Sequence, residues 1–384
     1  MQLSKRASGL SQSAIRAMTW ECSRLNGINM AQGVCDLDIP AEITEGAKQA
    51  IDNGFNIYMP CEGHPDLRKA IGMKMKDFYN MEVDPESEIF VSAGATGAFY
   101  ATCLALLNPG DEVLLLEPFY GYHTATLKAM GCIPVFASLE PPGWQLDPDA
   151  LEKAVSGKTR AIVINTPANP SGKVFNQSEL EFLADFTEKH NLWIFSDEIY
   201  EHFVYGKNKH IPPATIPGLR ERTITISGFS KIFSITGWRL GYAVCPPEIC
   251  EAASQMNDLI YVCGPSPLQI GACRGLLDLD QDYYDSVSND HLIKRDLFCT
   301  ALDDAGLKPY IPDGAYYTLA DISKVPGNLE FDKVMYILNK TGIASVPGSA
   351  FYSAGPEKNL ARFCFAKKTD ILHDACERIK QLKL

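Results

Sequence analysis

The stretch "SGFSKIFSITGWRLGY", residues 227–242, places one amine, Lys231, eight positions before one guanidinium, Arg239, with Gly237 and Gly241 flanking the arginine. Two chemistries suit that spacing. Both cations can be solvated loop charges, or the lysine can be a covalent handle with an anion clamp beside it. The residues that end the preceding apolar runs bear on the choice. "AGATGAFYATCLALL" follows "EIFVS", so Ala95 and Thr96 can offer backbone N–H groups and a hydroxyl at a helix N-terminus. "FYGYH" follows "DEVLLLEP" and supplies Tyr120 as a ring to stack on a flat heterocycle. "TPANPSGKVF" follows "RAIVIN" and holds Asn169 between Ala168 and Pro170 as an amide donor. "SDEIY" follows "NLWIF": Asp197 ends an apolar strand, where a lone carboxylate is costly without a partner, and Tyr200 stands three residues on.

Taken singly, each feature has a plain structural explanation: small residues that pack, a half-buried tyrosine, a turn asparagine, a solvated cation. Five loops supplying an anion cup, a ring, an amide, a carboxylate–tyrosine pair and a lysine describe something narrower, a socket for pyridoxal phosphate. In such a socket a protonated ring nitrogen accounts for Asp197, the ring's phenolic oxygen for Tyr200, and a Schiff base for Lys231. Arg239 then sits on the phosphate, which a guanidinium reads better than an ammonium.

The elements that must position these residues are α/β in pattern. Between about residues 88 and 245, the runs "EIFVSAG", "DEVLLLEP", "CIPVFAS", "RAIVINTP", "NLWIFSDE", "RTITIS" and "RLGYAVC" alternate with helical segments. Several runs are almost continuously apolar, as strands buried on both faces of a parallel sheet are. In such sheets ligands bind beyond the carboxyl ends of the strands, where the five loops lie. Between two runs, "NQSELEFLADFTEKH" reads as a helix capped by Asn176 with Glu179 three residues on, and Leu180, Leu183 and Phe186 on one face. The last ninety or so residues mix helices such as "FDKVMYILNKTG" with strand-like "GAYYTLAD" and "RFCFAK". A large ligand-binding domain over 41–285 is expected, with a small α+β domain over 286–384 joined by an N-terminal arm, 1–40.

Composition limits the partners. The chain has 384 residues, 46% hydrophobic and 21% charged, with a formal net charge of −12, which disfavours nucleic acid and anionic membrane surfaces. The N-terminal "MQLSKRASGLSQSAIRAM" carries no apolar run of the kind a signal peptide has. No window approaches the ~18 apolar residues of a membrane span. Twelve cysteines lie scattered without a CxxC pair, so reduced core thiols are expected, with no metal and a cytoplasmic location. No GxGxxG follows the first strand, which argues against a nicotinamide-dependent dehydrogenase.

Over nearly its whole length the sequence resembles a class I/II aminotransferase of the fold-type I pyridoxal-phosphate superfamily. The branch holding kynurenine/glutamine transaminases and bacterial aspartate transaminases is the most similar in pattern. "AQGVCDLDIP", "NIYMPCEGHPDLRKAI", "NTPANPSGKVF", "SDEIYE", "SKIFSITGWRLGY" and "SVPGSAFY" followed by "ARFCFAK" carry the resemblance. It implies a mostly parallel sheet flanked by helices, plus a smaller α+β domain. It further implies a transaminase that moves the amino group of an L-amino acid to a 2-oxo acid through a Lys231 Schiff base. By resemblance Asp197 pairs with the ring nitrogen, Asn169 and Tyr200 with the phenolic oxygen, and Tyr120 stacks on the ring. Ala95, Thr96 and Arg239 hold the phosphate, while Arg362, helped by the Gly33 backbone N–H, binds the substrate α-carboxylate. Tyr58 matches a tyrosine that reaches the neighbouring subunit's phosphate, which implies a homodimer with shared active sites. Many relatives have a phosphate-binding serine three residues before the lysine, but this chain has Gly228, and Ser230 or Ser227 is expected to substitute. Ser13, Ala14, Ile15, Val34 and Cys35 fall where the substrate side chain is held, with Tyr58, Tyr120 and Tyr122 as aromatic neighbours. No extra arginine is obviously placed for a distal carboxylate. The same socket supports β-elimination from cysteine conjugates, and a non-catalytic pyridoxal-phosphate-binding regulator is the remaining alternative.

Overall fold

The computed structural model describes residues 4, 6, 12–353 and 357–383. Its strands, in chain order, begin with β1 (Ile28–Asn29), β2 (Ile89–Ser92), β3 (Glu112–Glu117), β4 (Ile133–Ser138), β5 (Thr159–Asn165) and β6 (Trp193–Asp197). They continue with β7 (Thr223–Gly228), β8 (Gly241–Val244), β9 (Lys308–Tyr310), β10 (Tyr317–Asp321), β11 (Ile343–Ala344), β12 (Val346–Pro347) and β13 (Leu360–Cys364). The seven apolar runs become one seven-stranded sheet in the order β2-β8-β7-β6-β5-β3-β4. Only β8 runs antiparallel to its neighbours, β2 and β7, and the other pairs are parallel. β2 and β7 are buried at every position, and β3 and β6 at all but the first, as strands covered on both faces must be.

Between β5 and β6, the helix Gln177–His190 starts as expected. The Asn176 side chain accepts from the Glu179 N–H at 3.0 Å and Glu179 accepts from the Asn176 N–H at 3.1 Å, a reciprocal cap that pairs two otherwise orphaned donors. Leu180, Leu183 and Phe186 are buried against the sheet.

A second, antiparallel sheet, β12-β13-β10-β9, carries the "GAYYTLAD" and "RFCFAK" strands, with Leu319 opposite Arg362. β1 pairs in parallel with β11. The helix Gln281–Asp304 runs through the boundary expected at 285/286. Among the described residues no helix is long and apolar enough to cross a membrane, and no His/Cys/Asp/Glu group could hold a metal ion.

The two sheets are tied by the loop that precedes β13. Glu330, wholly buried, accepts the N–H groups of Ser349 and, at 2.9 Å, of Leu360. Glu117, at the end of β3, accepts the N–H of Ser353, and the Phe119 N–H donates to the Phe351 carbonyl at 2.9 Å. Backbone donors of the second sheet's loop are thus paired by carboxylates set on either side of it. Glu330→Ala should leave the buried Leu360 N–H and the part-buried Ser349 N–H unpaired and cost roughly 1–3 kcal/mol, seen as a fall of a few degrees in the apparent melting temperature.

Candidate active site

A cavity of about 660 Å³ opens beyond the carboxyl ends of β2, β3, β5, β6 and β7, and the second sheet closes its other side with Tyr317 and Arg362. Its size suits a cofactor together with a small substrate. Most residues singled out from the sequence line it; Ala14, Val34, Cys35 and Ser227 do not, and Tyr58 lies outside and is 80% exposed.

β6 delivers Asp197 to the cavity floor, since its buried Ile194 and Phe195 fix the strand in the sheet. The buried carboxylate has a partner within the chain: Asp197 Oδ2 lies 3.0 Å from His123 Nε2 on the helix Gly121–Met130. Phe99 packs on that imidazole with ring centroids 4.8 Å apart. The other oxygen, Oδ1, accepts from the Ile199 N–H at 3.3 Å. Tyr120 stacks on Tyr122, with centroids 5.3 Å apart and planes inclined by 22°.

Lys231 follows β7. Its Nζ donates to the Gly33 carbonyl at 3.3 Å and lies 5.9 Å from the ring centroids of both Tyr200 and Tyr316. Burial pulls its pKa down from the ordinary lysine value to about 8; the charge of Arg239 acts in the same direction, against the Cys364 and Cys35 thiols and Asp197. About a tenth of this amine is therefore neutral, and nucleophilic, at pH 7, far more than for an ordinary lysine.

The anion cup is built from missing side chains. A Cβ on Gly94, whose φ is +76°, would sit 2.5 Å from Arg239 Nη2, and one on Gly241 would sit 2.2 Å from the Ala95 nitrogen. Glycine at both positions lets Arg239 close on the N-terminus of the helix Gly94–Leu106, where Ala95 and Thr96 line the cavity. Ser230 lines the same region. Ser227 does not: its buried hydroxyl donates to Glu201 Oε1 at 2.6 Å, beneath the floor. The departure at Gly228 has a steric reason, because a Cβ there would lie 2.8 Å from the Gly241 Cα and 2.9 Å from the Leu240 carbonyl oxygen.

Across the cavity Arg362 is wholly buried on β13, with no carboxylate paired to it among the described residues. Its Nη1 donates to Asn169 Oδ1 at 2.8 Å and its Nη2 to the Ala31 carbonyl, while Nε is buried without a partner. The guanidinium lies 4.4 Å from the Tyr317 ring centroid and 5.0 Å from that of Phe351. Asn169 accepts from the arginine through its oxygen, which leaves its NH₂ group to donate into the cavity. Tyr200 meets Tyr317 hydroxyl to hydroxyl at 3.0 Å.

A model of the family described as aminotransferase class I and II matches residues 26–379. The chain belongs to that family. This aminotransferase is 34% identical to rat kynurenine–oxoglutarate transaminase 3 across 98% of its length and 89% of the relative's. It is 37% identical to the aspartate aminotransferase of Pyrococcus abyssi, across 92% of this chain and 91% of that one. The solved structure of N-succinyldiaminopimelate aminotransferase from Mycobacterium tuberculosis superposes with a TM-score of 0.95 at 33% identity, covering 99% of this chain and all of that one. The protein is thus a transferase of amino groups between amino acids and 2-oxo acids, and members of its family use pyridoxal phosphate. Nothing in these relatives favours the lyase or the regulator.

Several lining residues of the aminotransferase went unnoticed in the sequence. His123 was visible in "FYGYH", three residues after Tyr120, but a lone histidine there looks like any core imidazole. Tyr317 sits inside an apolar strand pattern and reads as packing. Ser13 and Ile15 do line the cavity and Ala14 does not; Arg16, Thr19 and Trp20 join them from the helix Ala14–Arg24. Val34 and Cys35 fall outside the lining, and Cys35 is buried with its Sγ 3.8 Å from His291 Nε2. A further cation that the sequence did not obviously place, Arg16, lines the cavity. It is exposed at the cavity mouth, and its side chain has no ion pair or hydrogen bond among the described residues.

Capture of pyridoxal phosphate by the apoprotein should accelerate as the pH rises to about 8, where the amine of Lys231 loses its proton, and level off above it. Stopped-flow absorbance measures this; a rate still climbing tenfold per unit near pH 10 would return the lysine to its ordinary value.

Proposed function

We propose that the cavity holds pyridoxal phosphate on Lys231 and carries out transamination there. The observation that carries this is the pairing of a partly neutral lysine with a buried, carboxylate-free arginine across one cavity. The residues fit the cofactor. The orphaned Nε of Arg362 and the glycine-cleared cup at Arg239 each call for an anion, and Asp197, fixed by His123, calls for a cation between them. When bound, pyridoxal phosphate supplies an aldehyde that condenses with amines and a pyridine ring that takes up the electron pair released at Cα.

Each side chain then has one task. Asp197 accepts the ring nitrogen's proton in a hydrogen bond and keeps that nitrogen charged. Asn169 and Tyr200 donate to the phenolic oxygen, and Tyr120 covers the ring face. Ala95, Thr96, Ser230 and Arg239 hold the phosphate. Arg362, with the Gly33 N–H, binds the substrate α-carboxylate and so turns the Cα–H towards Lys231. The lysine amine would take that proton and return one, a contribution of ~10²–10⁴-fold. Residues 41–285 would carry the cofactor contacts, and the flanking segments 1–40 and 286–384 would bring Gly33 and Arg362. The exposure of Ile57, Tyr58 and Leu259, at 78%, 80% and 82%, supports a second copy covering this face, with Tyr58 reaching the partner's phosphate. Twelve free thiols support the cytoplasm as its compartment.

Arg16 bears on the substrate. Lys231, Arg239 and Arg362 are each committed, and Arg16 remains at the mouth, on the same helix as Thr19 and Trp20, to meet a distal carboxylate on one of the two substrates.

Lys231→Ala should abolish the covalent link and lower kcat by at least ~10²–10⁴-fold while some cofactor still binds; near-native turnover would remove Lys231 from the mechanism. Arg362→Ala should raise KM for every amino acid tried. Arg16→Gln should raise KM about tenfold, the loss of one charge-assisted contact of roughly 1.5 kcal/mol, for dicarboxylic substrates alone. An Arg362→Ala effect confined to one side-chain class, or an Arg16→Gln effect equal on monocarboxylic and dicarboxylic substrates, would reverse the assignment.

A further inference from the structure

Tyr317 touches two groups that the proposed chemistry uses separately. Its hydroxyl is 3.0 Å from that of Tyr200, and its ring faces the Arg362 guanidinium at 4.4 Å. The position leaves little freedom: a Cβ on Gly33 would fall 1.7 Å from the Tyr317 oxygen, and the Tyr316 ring packs on Tyr317 with centroids 4.8 Å apart. Register fixes it as well, since β10 pairs with β13 so that Tyr317 lies opposite Cys364, two residues beyond Arg362.

We propose that Tyr317 is a positioning residue that orients Tyr200 through its hydroxyl and Arg362 through its ring. This rests on the assignment of Tyr200 to the cofactor's phenolic oxygen. A tyrosine hydroxyl has one proton. If Tyr200 gives that proton to the ring oxygen, Tyr317 must be the donor in the hydroxyl pair. The result is a directed chain, Tyr317 to Tyr200 to the phenolic oxygen, in which each bond polarises the next. The chain stabilises negative charge on that oxygen and so favours loss of the proton from the Lys231–cofactor linkage. The charged and titratable groups facing the pair are Asp197, Tyr120, Tyr316, Arg362, Cys364 and Lys231, and Tyr317→Phe changes none of them.

The test uses the holoenzyme and its visible absorbance, which changes when the lysine–cofactor linkage takes up a proton. Tyr317→Phe keeps the ring and removes the hydroxyl. It should raise the midpoint of that absorbance titration by about 0.3 pH unit or more, a twofold change in proton affinity, and leave KM for amino acids within about twofold. Tyr317→Leu removes both contacts and should also raise KM about tenfold, which Phe at the same position restores. An unmoved midpoint in a Tyr317→Phe enzyme with normal colour would overturn the proposal, as would a KM that Phe fails to restore. A wild-type protein that stays colourless with excess pyridoxal phosphate would overturn the cofactor assignment beneath it, and this proposal with it.

Discussion

A guanidinium removed from water with no carboxylate beside it is the constraint on which the rest of this molecule depends. Isolated charge in a protein interior is costly unless hydrogen bonds replace its hydration. Arg362 receives only part of that replacement: an amide oxygen from Asn169, a carbonyl from Ala31 and two aromatic faces. Phe351, one of those faces, lies in the loop that Glu330 and Glu117 clamp through backbone N–H groups. The second sheet and its anchored loop therefore hold one cation at the cavity wall with part of its hydrogen-bonding capacity unused.

The opposite wall follows the same logic with the sign balance altered. Four cations and a single carboxylate line the cavity, Arg16, Lys231, Arg239 and Arg362 against Asp197, within a chain whose formal net charge is −12. Local positive charge within an acidic protein concentrates anions at the site and leaves the outer surface repellent to them. Burial, with a smaller contribution from Arg239, keeps Lys231 from holding its own proton firmly.

Much of this was legible before any coordinates. β2 to β8 coincide with the apolar runs because strands covered on both faces tolerate little else, and the loops after them carry residues whose polarity packing does not explain. What escaped is instructive. β1, β11 and β12 are two residues long and have no periodicity to detect. The reversed direction of β8 leaves no mark in its composition. His123 and Tyr317 are aromatic residues in apolar surroundings, and their polar tips show only when Asp197 and Tyr200 are brought to within 3.0 Å of them. The choice between Ser227 and Ser230 likewise needed the pleat, which turns Ser227 down to Glu201.

The back-to-back contact of Gly228 with Gly241 limits what substitution can reach. A hydroxyl-bearing residue at 228 collides with the neighbouring strand, and moving that strand disturbs its fit against Ala95, which depends on the second glycine. No one-step change therefore brings a serine to that strand end. A hydroxyl at 228 thus requires both strands to move together, whereas Ser230 already lines the cavity from the turn that follows.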